Sequence, residues 1–372
     1  MTLGKILSSP GVRATLCAFV FSRALILAIG FLSTGIILVS PEQAKSGIVA
    51  PFIRWDSNWY LELARHGYEF FPDGQSSVVF FPLYPLLMHL GSMGFMSLAH
   101  GGILVSNVCT FAAALLIWRL ARMDCSERAS DLAVRFFLFG PVSFFFSTVY
   151  SEGAFILFVA ASLYGARTRR WWLAGLAGYA AALTRSVGLL LVVPLAVEFL
   201  VQERREFSLG KPGNWIRLAC VGMPAAGTLT YMAYMALKFG DPLIYRRAEI
   251  HWGRQLMPFW ETFAHPNVLS LPPVYLVWFC GALLVALILL GVGFRLKMRP
   301  AYLVMCIAYI GLYTSTGLLE AMPRYLSVIV PFYLMLAAWV DRRPSLELPF
   351  TILSTAFLAF STVAFSTGYW FT

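Results

Sequence analysis

FIRWDSNWYLELARHGYEFF, residues 52–71, is a charged and aromatic stretch in a chain whose other long segments are mostly apolar. Asp56 can cap a short helix running to about His66, with Gly67 as its stop. On that reading Trp55, Trp59 and Tyr60 anchor the helix at the level of lipid headgroups. The same position also suits chemistry. A capping site holds a carboxylate still, aromatic neighbours lower the local dielectric, and Asp56 can then take a proton from a hydroxyl as a general base must. Glu62 is the alternative base on the same helix, nearly two turns away. Whether the stretch is structural only depends on where a membrane places it.

Of the 372 residues, 59% are hydrophobic and only 12% charged, and mean hydropathy is +0.74. A soluble protein of this size needs far more charged surface. Several segments approach or exceed the length of a helical membrane span, which predicts an all-α, polytopic membrane protein. The 28 Lys and Arg against 18 Asp and Glu give a net charge of +10. No basic domain or aromatic–basic stripe accompanies it, so nucleic acid is not a partner; basic residues instead collect in short cytoplasmic loops. The six cysteines and five histidines have no ligand-like spacing. No Gly-rich phosphate loop or soluble nucleotide-binding domain is present. A sugar transferase without a place for a nucleotide needs a lipid-linked donor.

The run from Leu16 to Val39 is long and lacks a small-x-small cleavage site, so it reads as a retained first span. Arg23 within it must face the bundle interior, a water-filled space or the interface. Further segments fall at roughly 133–149, 152–166, 171–184, 186–201, 216–238, 273–294, 301–318, 325–340 and 350–368. Between Val78 and Phe95, Pro82 and Pro85 break an ordinary helix and leave a partial span or an interfacial segment. Arg119, Arg122, Arg167, Arg169, Arg170, Arg204, Arg205, Arg295, Lys297, Arg299, Arg342 and Arg343 fall on one side of this path. The path predicts about 11 crossings in one domain, 1–372, with non-cytoplasmic helical loops at about 40–78 and 239–271. Arg54, Arg65, Arg246, Arg247, Arg254 and Arg324 lie on the far side against the trend, as expected of residues that bind something.

Other candidates share that face. Glu152 in YSEGAF lies at a far-side turn, level with Asp56, and can orient an acceptor or a basic side chain. Arg185 in LTRSVG and Arg324 in MPRY occupy similar turns. Such arginines can simply snorkel, but together with Arg246 and Arg247 they suit a phosphate, which the guanidinium fork matches. In GDPLIYRRAEIHWGR, Asp241 can cap a helix on which Tyr245, Arg246, Glu249 and Trp252 share about one face. His251 and Tyr325 belong to the same supporting group, with Arg54. Aromatic residues around FFPLYPLL fit a lipid chain.

In this order, RWDSNWYLELARHGY, FFPLYPLL, YSEGAF, TRSVG, GDPLIYRRAEIHW and MPRYLSVIVPFYLMLA resemble the PIG-V family. These are the glycosylphosphatidylinositol mannosyltransferase 2 proteins and their bacterial relatives. The resemblance runs from about Arg54 to about Ala337. It implies a GT-C fold with its site at the non-cytoplasmic face, and an inverting transfer of mannose from a polyprenyl phosphate. The family's first-loop Asp falls on Asp56, with Trp55 and Tyr60 in support. The PRY arginine falls on Arg324, and the GDPL…W element spans Asp241 to Trp252. The compact chain with modest loops resembles bacterial members, which implies a plasma-membrane enzyme with its site on the periplasmic or extracellular side. Its partners would be the polyprenyl-phosphate sugar donor, a lipid or glycan acceptor and membrane lipids. No cofactor is required, since arginines can neutralise the phosphate, although Glu62, Glu152 and Asp241 leave room for a divalent metal. The competing reading is a transporter or flippase of a lipid-linked sugar.

Overall fold

The computed structural model describes residues 10–36, 47, 49–203 and 212–370. Residues 37–46, at the end of the expected first span and the start of the first loop, lie outside the described residues, as do Arg204 and Arg205. Among the described residues the fold is all-α, with no strand. α1 (Pro10–Ile36) leads to a short helix, α2 (Asp56–His66), and then to α3 (Leu83–Ser92). Pro82 and Pro85 do not break this third helix as expected. Pro82 sits at its N-cap and Pro85 in its first turn, where a missing N–H costs nothing.

α4 (Leu98–Asp124) and α5 (Glu127–Leu138) are opened by Ser97 and Ser126, whose side chains accept from the backbone N–H groups of His100 and Ala129. α5 stops just before Gly140-Pro141, as a helix must before proline. A turn of 3-10 helix, Ser143–Ser147, follows. This break explains the arginine inside the first span. Arg23 reaches from α1 and donates to the carbonyls of Leu138 (3.0 Å) and Ser143 (3.2 Å) and to Ser147 Oγ (2.8 Å). It faces the bundle interior and satisfies carbonyls that the broken helix leaves open.

α6 (Glu152–Arg167) and α7 (Trp171–Thr184) form an antiparallel pair, followed by a 3-10 turn (Ser186–Leu191) and α8 (Val192–Glu203). α6 lies tightly on α4, because a Cβ on Gly153 would come within 2.7 Å of the Ser106 carbonyl. α9 (Pro212–Phe239) approaches α7 as closely; a Cβ on Gly227 would meet the Tyr179 carbonyl at 2.6 Å. Small residues are what allow helices to pack this closely inside a membrane. The second polar loop contains α10 (Ile244–Ala248), a 3-10 turn (Glu249–Trp252), α11 (Phe259–Ala264) and α12 (Pro266–Leu269). The last part of the chain forms α13 (Pro273–Arg295), α14 (Pro300–Tyr313), α15 (Met322–Leu326), α16 (Val330–Asp341) and α17 (Glu347–Ser366).

Among the described residues, five helical segments are long and apolar enough to cross a membrane: Gly11–Ile36, Leu98–Asp124, Ser186–Glu203, Pro273–Arg295 and Pro344–Ser366. The protein is thus a multi-spanning membrane protein, but about 11 crossings are not met on this criterion. α5, α6, α7, α14 and α16 are only 12, 16, 14, 14 and 12 residues long. A straight helix of that size covers about 18–24 Å of a hydrocarbon core of about 30 Å.

α6 is the axis of a two-ended arrangement. Glu152 lies at its start and Arg167 at its end, about 22 Å apart at helical rise. At the Arg167 end, the guanidinium grips both oxygens of Asp124 (2.5 and 2.7 Å) and donates to Tyr302 OH at 2.7 Å. Arg299 pairs there with Glu198 at 2.8 Å. The Glu152 end carries the other polar layer.

Candidate active site

The site begins at an unusual backbone. Trp55 has φ 52°, a region rarely occupied by residues with side chains, and it occupies the N-cap of α2. Asp56 is therefore the first helical residue, not the cap expected from the sequence, and its side chain makes no capping bond. Turning the chain at Trp55 leaves the Asp56 carboxylate free to face across the bundle. Gly67 ends the helix as expected, at φ 79° with its N–H on the Leu63 carbonyl.

The carboxylate meets Arg324. Nη1 of Arg324, on α15, donates to Asp56 Oδ2 at 2.7 Å, across 268 residues of sequence. Asp56 keeps 20% of its side chain exposed while Arg324 keeps 5%. The same guanidinium has its Nε 3.5 Å from Glu152 Oε1, and Arg185 Nη1 lies 2.5 Å from that oxygen. Glu152 is fully buried at the first position of α6, where the helix dipole favours its charge. Its Oε2 has no hydrogen-bond partner. The result is a chain of alternating charge, Asp56–Arg324–Glu152–Arg185, in which each buried ion has a counter-ion.

Neutral groups fix this chain in place. Tyr60 on α2 donates to Ser151 Oγ at 2.8 Å, and Arg185 also reaches Ser151 Oγ. The Asp56 N–H donates to Tyr150 OH, which in turn donates to the Arg54 carbonyl. Arg54 itself is turned away from the carboxylate and donates to the Ser366 carbonyl at 3.0 Å, tying the first loop to the end of α17. The Arg324 guanidinium lies 5.1–5.8 Å from the rings of Tyr325, Phe145, Tyr150 and Trp370, a cage that suits a delocalised cation. Trp55 packs edge-on against Trp370.

The second loop contributes differently from what its sequence suggests. Asp241 does open the turn, accepting from the Leu243 N–H at 2.9 Å, and its other oxygen lies 3.3 Å from Arg247 Nε. Arg246 pairs with Glu249 at 2.9 Å, and burial pushes the Glu249 carboxyl above its usual range despite that arginine. Arg246 and Arg247 are thus in local pairs and make no ion pair with Asp56 or Glu152. The face expected to be shared by Tyr245, Arg246, Glu249 and Trp252 does not form, because the α-helix ends at Ala248. Tyr245 is buried against Phe81, while Arg246 stays exposed. Trp252 instead meets Trp59 of α2 edge-on at 5.1 Å, joining the two loops. His251 is exposed. Glu62 is exposed too and pairs with Arg65 and His66, away from the cluster.

Arg254 was noted in the sequence only as a far-side cation, yet the fold brings it to the cluster. It hydrogen-bonds Tyr325 OH and lies 4.8 Å from that ring. Two backbone bonds hold its segment in place, Gln255 N–H to the Thr316 carbonyl and Met257 N–H to the Ser315 carbonyl. Its far-side placement against the charge trend was the usable signal. Tyr150 and Ser151 were also missed, although they stand in the YSEG motif beside Glu152. Among the described residues no three His, Cys, Asp or Glu side chains gather as metal ligands. Glu62, Glu152 and Asp241 do not converge.

The structure is similar to two solved membrane proteins. Over 92% of this chain it aligns with ArnT from Cupriavidus metallidurans bound to undecaprenyl phosphate, covering 63% of that chain with TM-score 0.55 and 17% identity. Over 95% it aligns with the archaeal oligosaccharyltransferase AglB from Archaeoglobus fulgidus in complex with an inhibitory peptide and a dolichol-phosphate, covering 56% of that chain with TM-score 0.53 and 15% identity. At these identities the likeness is one of fold. In sequence, 163 residues are 26% identical to mouse (Mus musculus) GPI alpha-1,6-mannosyltransferase 2, and 168 residues are 26% identical to GPI mannosyltransferase pigv-1 of Caenorhabditis elegans. The matches take in 40% and 38% of this chain, and only 32% and 24% of those proteins. Residues 22–208, just over half of the chain, match the mannosyltransferase (PIG-V) family, and the chain belongs to it.

Proposed function

We propose that the protein is an inverting mannosyltransferase, moving mannose from a polyprenyl-phosphate donor to a hydroxyl of a lipid or glycan acceptor at the non-cytoplasmic face. One observation carries the reading: a partly exposed carboxylate, Asp56, held 2.7 Å from a buried arginine that reaches it from the far end of the chain. The named ligands of the two similar structures, undecaprenyl phosphate and dolichol-phosphate, support a donor of this class here. The shorter helices α5, α6, α7, α14 and α16 would complete the bundle around it.

In the reaction the acceptor hydroxyl gives its proton to Asp56 as its oxygen bonds to the anomeric carbon. The bond from that carbon to the phosphate oxygen breaks on the opposite face, and its electron pair leaves with the polyprenyl phosphate. Arg324 stabilises the charge gathering there, with Arg185 and Arg254 beside it. Arg246 and Arg247, turned to Glu249 and Asp241, stand at the rim of the second loop. Trp55, Trp59, Tyr60 and Trp252 give aromatic faces for sugar packing.

The resting pair also suggests an order. Donor phosphate competes with Asp56 for Arg324, so its arrival releases the carboxylate to act as base. Purified protein given radiolabelled polyprenyl-phosphate mannose and a membrane lipid extract should form a labelled product. Asp56→Asn should slow that transfer by about 10²–10⁴-fold. Equal transfer by the variant removes Asp56 as the base, and no product with any extract supports the transporter reading.

A further inference from the structure

The opposite end of the bundle holds a cavity of about 340 Å3 between the ends of α4 and α16 and the tight turn from α13 to α14. Its charged lining is Lys297, Arg299, Arg342 and Asp124, three cations to one carboxylate. Asp124 is already held through both oxygens by Arg167. Arg299 uses one edge of its guanidinium on Glu198. Among the described residues no carboxylate pairs with Lys297 or Arg342. The other walls are apolar, including Leu296 and Ala338.

The turn that presents Lys297 is costly. Met298 N–H reaches the Gly293 carbonyl at 2.9 Å and Lys297 N–H the Phe294 carbonyl at 3.1 Å. This is a helix-ending motif that favours glycine, yet Lys297 occupies it at φ 53°. Arg169 ends α6 in the same way at φ 57°, but only Lys297 does so at the rim of this cavity. α4 and α13 are both long enough to span, so their ends at Asp124 and Arg295 place the cavity at headgroup level. An excess of cations at that level matches the phosphate of an anionic lipid.

We infer that this cavity binds the phosphate of an anionic membrane phospholipid, through Lys297 and Arg342 with the open edge of Arg299. The site is separate from the Asp56 cluster and does not depend on the proposed reaction.

The test is thermal unfolding of the purified full-length protein in zwitterionic detergent, titrated separately with phosphatidylglycerol, phosphatidylcholine and inorganic phosphate. Phosphatidylglycerol should raise the melting temperature in a saturable way while the other two have little effect. Lys297→Ala with Arg342→Ala should weaken that response roughly 30-fold, at the usual strength of one cation near an anionic surface. Arg119→Ala with Arg343→Ala, which removes the same charge outside the cavity, should leave it unchanged. Lys297→Gly gives the sharpest arm. It relieves the turn, so it should melt higher than wild type without lipid, yet gain less when phosphatidylglycerol is added. An equal response to phosphatidylcholine, an equal response to inorganic phosphate, or an equal loss in the Arg119 and Arg343 variant each overturns the inference. So does an undiminished lipid response in Lys297→Gly.

Discussion

Arg324 serves two carboxylates at once, and its side chain is 5% exposed, so its replacement tests geometry and charge separately. Arg324→Ala leaves Asp56 without its counter-ion and Glu152 with Arg185 alone. Removing one partner of a buried pair should cost about 3–5 kcal/mol, measured by chemical or thermal unfolding. Arg324→Lys keeps the charge but has no fork to span both acids, so it should fold better than the alanine variant and still lose most transfer. At this scale the sequence was partly legible. Asp56, Glu152, Arg185 and Arg324 were named from motifs and far-side placement, and the fold joins them into one chain of charge. That Trp55 and not Asp56 takes the cap position was not legible, because it depends on Trp55 adopting a positive φ that residues with side chains rarely occupy. Arg246 and Arg247 looked equal to Arg324 in the sequence, since nothing local shows that Glu249 and Asp241 already occupy them.

Among the elements, α1 and α5 show how a charge inside a span becomes structural. Arg23 stood out in the sequence, but the segment expected at 133–149 is broken at Gly140-Pro141, and the arginine satisfies carbonyls at that break 115 and 120 residues away. Arg23→Leu should remove the donors to the Ser143 carbonyl and Ser147 Oγ and leave Leu138's carbonyl to the Ser143 hydroxyl alone, at about 1–3 kcal/mol for a buried group left unsatisfied. A fall in the unfolding midpoint, with no gain from added hydrophobicity, would show this; an unchanged or higher midpoint would contradict it. The helix count was the least legible feature. Apolar runs were easy to see, but their interruption into helices of 12 to 16 residues follows from tertiary packing as much as from local sequence.

Over the whole molecule, two polar layers are held apart by α6. Arg167 closes the layer opposite the Asp56 cluster, contacting Asp124, Tyr302 and Glu198 from three other helices. Arg167→Met should therefore destabilise the bundle by about 3–5 kcal/mol, since two acids lose a buried partner. The fraction that remains folded should transfer sugar with unchanged KM, because the substituted residue is about 22 Å from Glu152 along α6. A raised KM in folded protein would mean the two layers are coupled. Both layers were foreshadowed by the distribution of arginines. Their pairing was not, because it needs the depth and rotation of each helix.

The span of sequence between Asp56 and Arg324 has a consequence for biogenesis. Glu152 finds its first cation after only 33 residues, at Arg185, but Asp56 must wait for a partner 268 residues downstream. At a synthesis rate of about 5–20 residues per second, that delay is on the order of tens of seconds. During it, α2 already carries its acid while the helix that will neutralise it has yet to leave the ribosome. Every nascent chain shorter than that point lacks the pair, so the charge cluster is complete only once α15 has emerged.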